Sequence, residues 1–249
     1  MSHNIRNLIK LLNQNKKFLF YSDSGLNDFF SGISFNIDYI WMNGLKLNNL
    51  HVYSSVYSGL DEYLDFKTIQ YCPLPTLNDY DFISEINAGG STNRNPNTPR
   101  HISNFISLKE KYLVNTDRIK KEIAVHIRCY KSEQSIISRE EEIEGYLKSF
   151  FKIYSPNENY AIFSDTDCGE IFFSRIDPQN YAKIRFIVPE DNINVNDWGQ
   201  KFFFRNKYTL LSLRSLYEMS FAKQIYKTAG SFTNACCVFN PACKITQLI

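Results

Sequence analysis

The second half of the chain alternates short apolar segments with longer segments of helical periodicity, and this alternation restricts the possible folds more than any other feature. Such alternation is typical of βαβ units, in which the strands are parallel. We therefore predict an α/β fold whose C-terminal half is a Rossmann-like parallel sheet flanked by helices. The predicted strands are Ile123–Ile127, Asn159–Phe163, Lys183–Val188 and Gln224–Lys227, and the predicted helices are Ser138–Ile153, a segment ending near Phe173, Tyr208–Ala222 and a final stretch after Asn234.

The first half of the chain has a similar but less regular pattern. We predict helices at Ile5–Asn15, Phe29–Met42 and Ile102–Asn115, strands at Lys17–Tyr21 and Leu50–Tyr57, and an irregular segment between Tyr63 and Glu85. The most polar stretch, residues 86–99, is rich in Gly, Asn, Ser and Pro, which indicates a loop. That loop is a disordered surface segment, a mobile loop or the joint between two halves of the chain. We divide the chain into domains 1–104 and 105–249.

Composition excludes several classes of protein. The 249 residues carry a formal net charge of +2, so no strong field attracts the protein to nucleic acid or to a membrane surface. No apolar segment is long enough to span a bilayer, and the N-terminus lacks the apolar region of a signal peptide. The six cysteines are scattered without zinc-type spacing, which predicts free thiols in a reducing compartment. We expect a cytoplasmic protein with no metal, no nucleic-acid partner and no transmembrane segment.

The predicted strand Ile123–Ile127 is followed directly by Arg128, and His126 lies within its last residues. Ligands of open α/β sheets bind outside the carboxyl ends of the strands. The guanidinium of an arginine presents a planar set of donors that fits a phosphate. Arg128 is therefore a candidate phosphate-binding residue. The alternative interpretation is an ordinary arginine that pairs with a surface carboxylate.

Two further strand ends carry polar groups. Ser164 and Asp165 follow one predicted strand, and Gly230, Ser231 and Thr233 follow another. The carboxyl ends of parallel strands meet at one edge of a sheet, so these groups converge with Arg128 on a single crevice. Thr233 and the amides at the start of the last helix are suited to hydrogen bonding with a phosphate. The convergence indicates a nucleotide-sugar site, and the alternative is a plain fold without a ligand site at this edge.

A strand, a loop of small residues and a helix also open the chain. Gly25 lies in this loop, where a glycine can take a positive φ, and Asn27 follows it. This arrangement recurs in nucleotide and phosphate sites. However, the loop contains neither a GxGxxG nor a GxxxxGK[ST] motif, which excludes a dinucleotide-binding or Walker-type site. A plain connection between strand and helix is the alternative.

Four short motifs in this order resemble motifs of the fucosyltransferase superfamily, which includes α-1,2- and α-1,6-fucosyltransferases. The segment Val125–Arg128 is similar to the HxR motif, and Tyr160–Asp165 is similar to the strand end that the family writes FSDD. The family's ending, LMS…NSTFS, is similar to Leu216–Ser220 followed by Gly230–Thr233 in this chain. The family's N-terminal turn, GLGN or GLGD, is similar to Ser24–Asp28. The resemblance covers about residues 20 to 240.

The resemblance implies two facing Rossmann-like domains of GT-B type, with an acceptor-side N-terminal domain and a C-terminal domain that binds the nucleotide sugar. It implies inverting, metal-independent transfer of L-fucose from GDP-fucose to a glycan hydroxyl, with no cofactor besides this donor substrate. Arg128 would hold the donor diphosphate, with His126 beside it. The donor-binding residues implied are His126, Arg128, Asp165, Ser231, Phe232, Thr233, Gly25 and Asn27.

The sequence departs from the family at several of these motifs. The family usually continues HxRRGD, whereas Arg128 is followed by Cys129, Tyr130 and Lys131. The second arginine is missing, and Lys131 is a candidate for the charge that it would supply. The segment around Asp165 carries one carboxylate where the family often has two, and the turn at Gly25 lacks its second glycine.

Inverting sugar transfer requires stabilisation of the departing diphosphate and a base for the acceptor hydroxyl. Arg128 serves the first requirement, and Glu133 and then Asp165 are candidates for the second. An exposed loop acid with no role is the alternative interpretation of Glu133. The same scaffold also suits a donor with another GDP- or UDP-linked sugar. A third hypothesis is a catalytically silent protein that binds nucleotide sugars or glycans.

Overall fold

The computed structural model describes residues 16–22, 25–57, 59–73, 75–86, 100–129, 137–164, 166–187, 205–228 and 230–248. The chain forms two compact units. The first comprises Met1–Leu113, Phe204–Leu210 and Cys237–Pro241, and the second comprises Val114–Phe203, Leu211–Cys236 and Ala242–Ile249. The assignment of acceptor and donor roles to domains 1–104 and 105–249 stays a prediction.

The first unit contains a parallel sheet of four strands. They are β1 (Phe18–Ser22), β2 (Leu50–Ser54), β4 (Gln70–Tyr71) and β5 (Phe82–Ile86), in the order β4-β2-β1-β5. Helix α1 (Leu26–Met42) follows β1 and buries an apolar face that includes Phe29, Ile33 and Ile37. The predicted strand and helix at this position are confirmed. The predicted helix Ile5–Asn15 lies outside the described residues.

The remaining elements of the first unit correct the prediction for Ile102–Asn115. This segment contains strand β6 (Ile106–Leu108), which pairs antiparallel with β3 (Leu64–Phe66), between two 3-10 turns at Arg100–Asn104 and Glu110–Tyr112. A short helix α2 (Leu60–Tyr63) precedes β3. The predicted helix is wrong because Ile106 and Leu108 are buried on alternate positions against a strand about forty residues earlier, and tertiary pairing overrides local periodicity.

The second unit contains a parallel sheet of five strands. They are β7 (Glu122–Ile127), β8 (Asn159–Ser164), β9 (Ile184–Ile187), β10 (Gln224–Lys227) and β11 (Ile245–Gln247), in the order β11-β10-β7-β8-β9. All four strand pairs are parallel. The predicted parallel sheet is therefore confirmed, with the strand that precedes Arg128 at its centre.

Helices α3 (Arg139–Ile153), α4 (Thr166–Ser174) and α5 (Arg205–Ser220) match predicted helical segments. Helix α3 begins with a capping box, in which the Ser138 hydroxyl accepts from the Glu141 amide and the Glu141 carboxylate accepts from the Ser138 amide. Phe150 of α3 packs in the core with Phe172 of α4 and Tyr160 of β8. Within the described residues, every helix is too short or too polar to cross a bilayer.

The final helical stretch is shorter than predicted. A 3-10 turn at Phe232–Ala235 leads into α6 (Cys236–Phe239), a helix of four residues, and strand β11 then follows. Four residues form a single turn with little macrodipole, since the dipole grows with aligned peptide units. The phosphate site expected at the start of this last helix therefore lacks a strong helix dipole, and individual backbone amides are what it can offer.

Helix α4 lies very close to the strand that precedes it. A Cβ atom built at Gly169 would lie 2.4 Å from the Cβ of Ser164 and 2.4 Å from the ring of Phe186. Ser164 ends β8 and Phe186 belongs to β9, so only a glycine allows this approach of the helix to the two strands.

The prediction of free thiols is wrong for two of the six cysteines. Cys129 and Cys168 form a disulfide, whereas Cys72, Cys236, Cys237 and Cys243 remain thiols. The two bonded residues are 39 apart in sequence, but their Cα atoms are 6.1 Å apart. The sequence hides this proximity because the fold creates it: Cys129 follows β7 closely, and Cys168 lies in the first turns after its neighbour β8.

Candidate functional site

Three neighbouring strands of the second unit end at the same edge of the sheet, as the parallel register requires. Here β7 ends with Ile127 and continues into Arg128, and β8 ends with Ser164. Strand β10 ends with Lys227 and continues into Thr228. We call this the carboxyl edge. It brings together the strand ends at which the sequence predicted a ligand site.

Thr228 fixes the backbone of Arg128. Its hydroxyl accepts a hydrogen bond from the Arg128 amide at 2.8 Å and lies 3.0 Å from the Arg128 carbonyl oxygen, to which it donates. The Thr228 amide donates to the His126 carbonyl at 3.0 Å, which extends the pairing of the two strands. The point at which the Arg128 side chain leaves the backbone is therefore held from the neighbouring strand.

Gly230 lies against the side chain of Arg128. Its φ of +77° is in the left-handed region that favours glycine, and a Cβ there would lie 3.6 Å from Arg128 Cδ. The turn after β10 thus packs its backbone against the aliphatic stem of the arginine. This geometry positions Arg128, which is partly exposed, at the carboxyl edge.

His126 is buried and hydrogen-bonded. Its Nδ1 lies 2.8 Å from the hydroxyl of Thr233, which is also buried. Burial, followed by the positive charges of Arg128 and Lys227, lowers the pKa of His126 to about 3. The imidazole is therefore neutral at physiological pH, and such a weak base is poorly suited to accept a proton from a substrate hydroxyl.

Ser231, Phe232 and Thr233 follow the Gly230 turn. The ring of Phe232 lies 5.4 Å from the ring of His126, and Ser231 and Phe232 are partly exposed. Thr233 has the imidazole of His126 as its hydrogen-bond partner. The structure thus brings four predicted donor-binding residues together with Arg128, and their contact with a donor stays a prediction.

The two candidate bases, Glu133 and Asp165, lie outside the described residues, as does Lys131. Ser164, which precedes Asp165, is buried and donates its hydroxyl proton to the Ile127 carbonyl at 2.8 Å. This bond ties the end of β8 to the end of β7. Ser164 therefore has a structural role at this position, which does not require contact with a ligand.

Gly25 and Asn27 belong to the first unit. Gly25 caps helix α1 with φ −62° and ψ 164°, so the turn does not use the positive φ that a glycine allows. No atom of the described residues lies within 4 Å of a Cβ built at Gly25. Asn27 is buried in the first turn of α1. A role of either residue in donor binding stays a prediction.

Lys227 was not recognised as a site residue from the sequence. It ends β10, its partner in the register with β7 is His126, and its ammonium donates to the Gly230 carbonyl at 2.8 Å. Its position at the end of a predicted strand, just before a glycine-containing turn, was the same signal that singled out Arg128. The signal was missed because none of the four motifs compared above includes this lysine.

A cavity of about 590 Å³ lies at the opposite, amino edge of the same sheet. Glu122, Asn159 and Ile184, the first residues of β7, β8 and β9, contribute to its lining. The side chain of Glu122 is 5% exposed and accepts from both Arg118 and Arg185. Arg185 also donates to Glu218 at 2.8 Å. Glu122, Arg118, Arg185 and Glu218 thus form one network of ion pairs at this edge.

The described residues contain no group of three or more histidine, cysteine, aspartate or glutamate side chains placed to hold a metal ion. This finding covers only those residues, so metal independence stays a prediction.

Solved structures of fucosyltransferases share this fold. Fucosyltransferase NodZ from Bradyrhizobium matches with a TM-score of 0.54 and 10% identity over 89% of this chain and 91% of that chain. NodZ alpha-1,6-fucosyltransferase co-crystallised with GDP matches with a TM-score of 0.51 and 10% identity, over 89% of this chain and 92% of that chain. A mutant of FUT1 from Arabidopsis thaliana in complex with GDP matches with a TM-score of 0.53 and 7% identity, over 99% of this chain and 75% of that chain. The sequence matches no family model and no curated protein.

At such identities the likeness establishes the fold alone. The chain has the fold of these fucosyltransferases, which confirms both the predicted α/β fold class with two Rossmann-like halves and the fucosyltransferase-like fold expected from the four motifs.

Proposed function

We propose that this protein is a glycosyltransferase that transfers L-fucose from GDP-fucose to a hydroxyl group of a glycan acceptor. Transfer inverts the configuration of the sugar and requires no metal. The observation that carries the proposal is Arg128, held by Thr228 and Gly230 at the carboxyl end of the central strand. The fold shared with fucosyltransferases solved with GDP supports the choice of donor.

In this proposal Arg128 stabilises the negative charge that grows on the diphosphate as the sugar leaves. A preorganised donor at that position lowers the barrier because it needs no reorganisation during the reaction. Its planar guanidinium can contact two phosphate oxygens together. His126 stays neutral and holds its place beside Phe232 and Thr233, which leaves the role of base to Glu133 or Asp165.

The principal test replaces Arg128. We expect Arg128→Ala to lower turnover by about 10²- to 10³-fold, the usual effect of removing one preorganised donor to a developing anion. Arg128→Lys should also lose most activity, because a point charge cannot reproduce bidentate contact. The measurements are transfer of labelled fucose from GDP-fucose to glycan acceptors, and the melting temperature.

Arg118→Ala is the matched control, since this arginine lies at the amino edge of the same sheet and its side chain is 70% exposed. It should leave turnover unchanged. Near-normal turnover of Arg128→Ala would contradict the proposal, and a variant that fails to fold would assign Arg128 a structural role.

Calorimetric titration with GDP and UDP tests the donor. We expect tighter binding of GDP. Equal or tighter binding of UDP would favour a transferase with another nucleotide sugar. Binding of GDP without transfer and without hydrolysis of GDP-fucose would favour a silent binding protein.

A further inference from the structure

We propose that Lys227 is a second phosphate-binding residue of the donor site, and that it supplies, from the neighbouring strand, the positive charge that the sequence after Arg128 lacks. The inference rests on the proposed function, because it assumes that the carboxyl edge binds a nucleoside diphosphate. It assigns a role to a residue that lies about a hundred positions away from Arg128 in the sequence.

The first observation is the position of Lys227. It is the last residue of β10, which pairs with β7 in parallel register, and its partner in that register is His126. Paired residues of parallel strands project from the same face of a sheet. The Lys227 side chain reaches the Gly230 carbonyl at 2.8 Å, and Gly230 is the residue that packs against Arg128. Lys227 and Arg128 therefore flank the same turn.

The second observation is the electrostatic environment. Arg128 and Lys227 both lower the pKa of His126, so both charges act at one place. Lys227 is half-buried, and burial lowers the pKa of its ammonium. Among the residues that the structure describes, no carboxylate lies within ion-pair distance of Nζ, whose recorded contact is a neutral carbonyl. A partly desolvated cation without a counter-charge is unfavourable unless an anion binds to it.

The third observation is the sequence after the central strand. Cys129 occupies the position where a second arginine would follow Arg128, and it is buried in a disulfide. It cannot contribute positive charge. A diphosphate carries more negative charge than a single arginine neutralises, so a second cation at the same edge completes the site. Lys227 is placed at that edge, and an ammonium is a suitable point charge for a phosphate.

The competing interpretation is a purely structural lysine that ties the end of β10 to Gly230. The two roles separate in Lys227→Gln. Glutamine retains an N–H donor for the Gly230 carbonyl but removes the positive charge. Lys227→Arg retains the charge. Lys223→Ala is the matched control, because this exposed lysine precedes the same strand and pairs with Glu158 on the surface.

The experiment measures dissociation constants of GDP, UDP and GMP by calorimetry at two ionic strengths. We expect Lys227→Gln to weaken GDP binding roughly tenfold or more, the usual magnitude for a hydrogen bond to a charged group. The ratio of GDP to GMP affinity should fall, and the salt dependence of GDP binding should decrease. Lys227→Arg and Lys223→Ala should keep the ratio of the wild-type protein.

An unchanged GDP affinity and salt dependence in a folded Lys227→Gln variant would overturn the inference and leave the proposed function intact. If the Gln variant does not fold, loss of GDP affinity in a folded Lys227→Arg variant would overturn it as well, and retained affinity would support it. If the wild-type protein binds neither GDP nor UDP, the proposed function fails and this inference fails with it. Tight binding of UDP that depends on Lys227 would support the phosphate contact while changing the donor.

Discussion

At the amino edge of the five-stranded sheet, buried Glu122 accepts from two arginines, one of which also binds Glu218. At the carboxyl edge, Lys227 is half-buried against a neutral carbonyl, and the backbone of Arg128 is held by a threonine. The two edges belong to the same strands, yet their charges are used differently. Charges that are compensated within the chain contribute to the fold. A cation whose contact among the described residues is a carbonyl oxygen is available to a ligand.

Removal of a charge at each edge should therefore change a different property. Removal of a buried carboxylate takes away its hydrogen bonds to charged partners, which costs stability. A cation that binds a ligand can be neutralised with little loss of stability and a large loss of affinity. The following predictions test this difference, beginning with the largest expected effect.

The amino edge should be sensitive to loss of Glu122. We expect Glu122→Ala to lower the free energy of unfolding by about 1.5–3 kcal/mol, because the hydrogen bonds of its carboxylate to two charged arginines are lost. Arg185 keeps Glu218 as a partner and Arg118 is largely exposed, so no buried charge is left uncompensated. Urea denaturation measures the change. Binding of GDP by the folded fraction should be unaltered, since the carboxylate lies at the edge opposite Arg128.

The control for this prediction is Glu158→Ala, which removes an exposed partner of Lys223 and should cost about 0–1 kcal/mol. If both substitutions lower the free energy of unfolding equally, burial does not make the Glu122 ion pairs more stabilising than the exposed pair of Glu158.

Packing rather than charge should determine stability where α4 meets the sheet. We expect Gly169→Ala to destabilise the protein by about 1–3 kcal/mol, as overpacking usually does. The Phe186 ring can rotate away from a new methyl group, but the Cβ of Ser164 is fixed to β8. The measurement is again the free energy of unfolding from urea denaturation.

Gly145→Ala provides the matched comparison within helix α3. In the part of the chain that the structure describes, no atom lies within 4 Å of a Cβ built there, so alanine should stabilise the helix by roughly 0.5–1 kcal/mol. A Gly169→Ala variant as stable as the wild-type protein would mean that α4 can move away from the strand without cost.

The pH dependence of stability should report the burial of His126 and the positive charges beside it. Its pKa is about 3 in the folded protein, against an ordinary value of 6.5. Below pH 6.5 the unfolded chain binds a proton that the folded protein excludes. The free energy of unfolding should therefore fall as the pH decreases from 6.5 towards 3, by up to about 1.4 kcal/mol per pH unit.

Urea denaturation at several pH values between 7.5 and 4.5 measures this slope in the wild-type protein and in His126→Gln. The substitution should flatten the slope over this window, because glutamine does not titrate. An identical slope in both proteins would show that another group causes the loss of stability.

Much of the second unit could be predicted from its sequence because its strands follow local rules. Strand β10 was predicted with its observed bounds, and α3 is marked by an N-terminal serine followed by three glutamates. The candidate site was predictable where it depends on the position of a residue at a strand end, as for Arg128. Parallel topology then determines which strand ends meet.

The sequence did not predict features that depend on the pairing of distant segments. Cys129 and Cys168 are brought together by neighbouring strands, and Ile106–Leu108 becomes a strand through its partner β3. Lys227 acquires its environment from residues on other elements. These are tertiary effects, which local composition and periodicity do not encode.

Strand β11 has a consequence for the handling of this protein in the laboratory. It covers the outer side of β10, and the Leu248 amide donates to the Lys227 carbonyl at 2.7 Å while its side chain enters the core. Deletion of residues from Ile245 onward would leave β10 with a row of unpaired amide and carbonyl groups, which is a template for pairing with another chain. Truncated forms should therefore aggregate through the strand that carries Lys227, and an affinity tag is safer when it does not replace this segment.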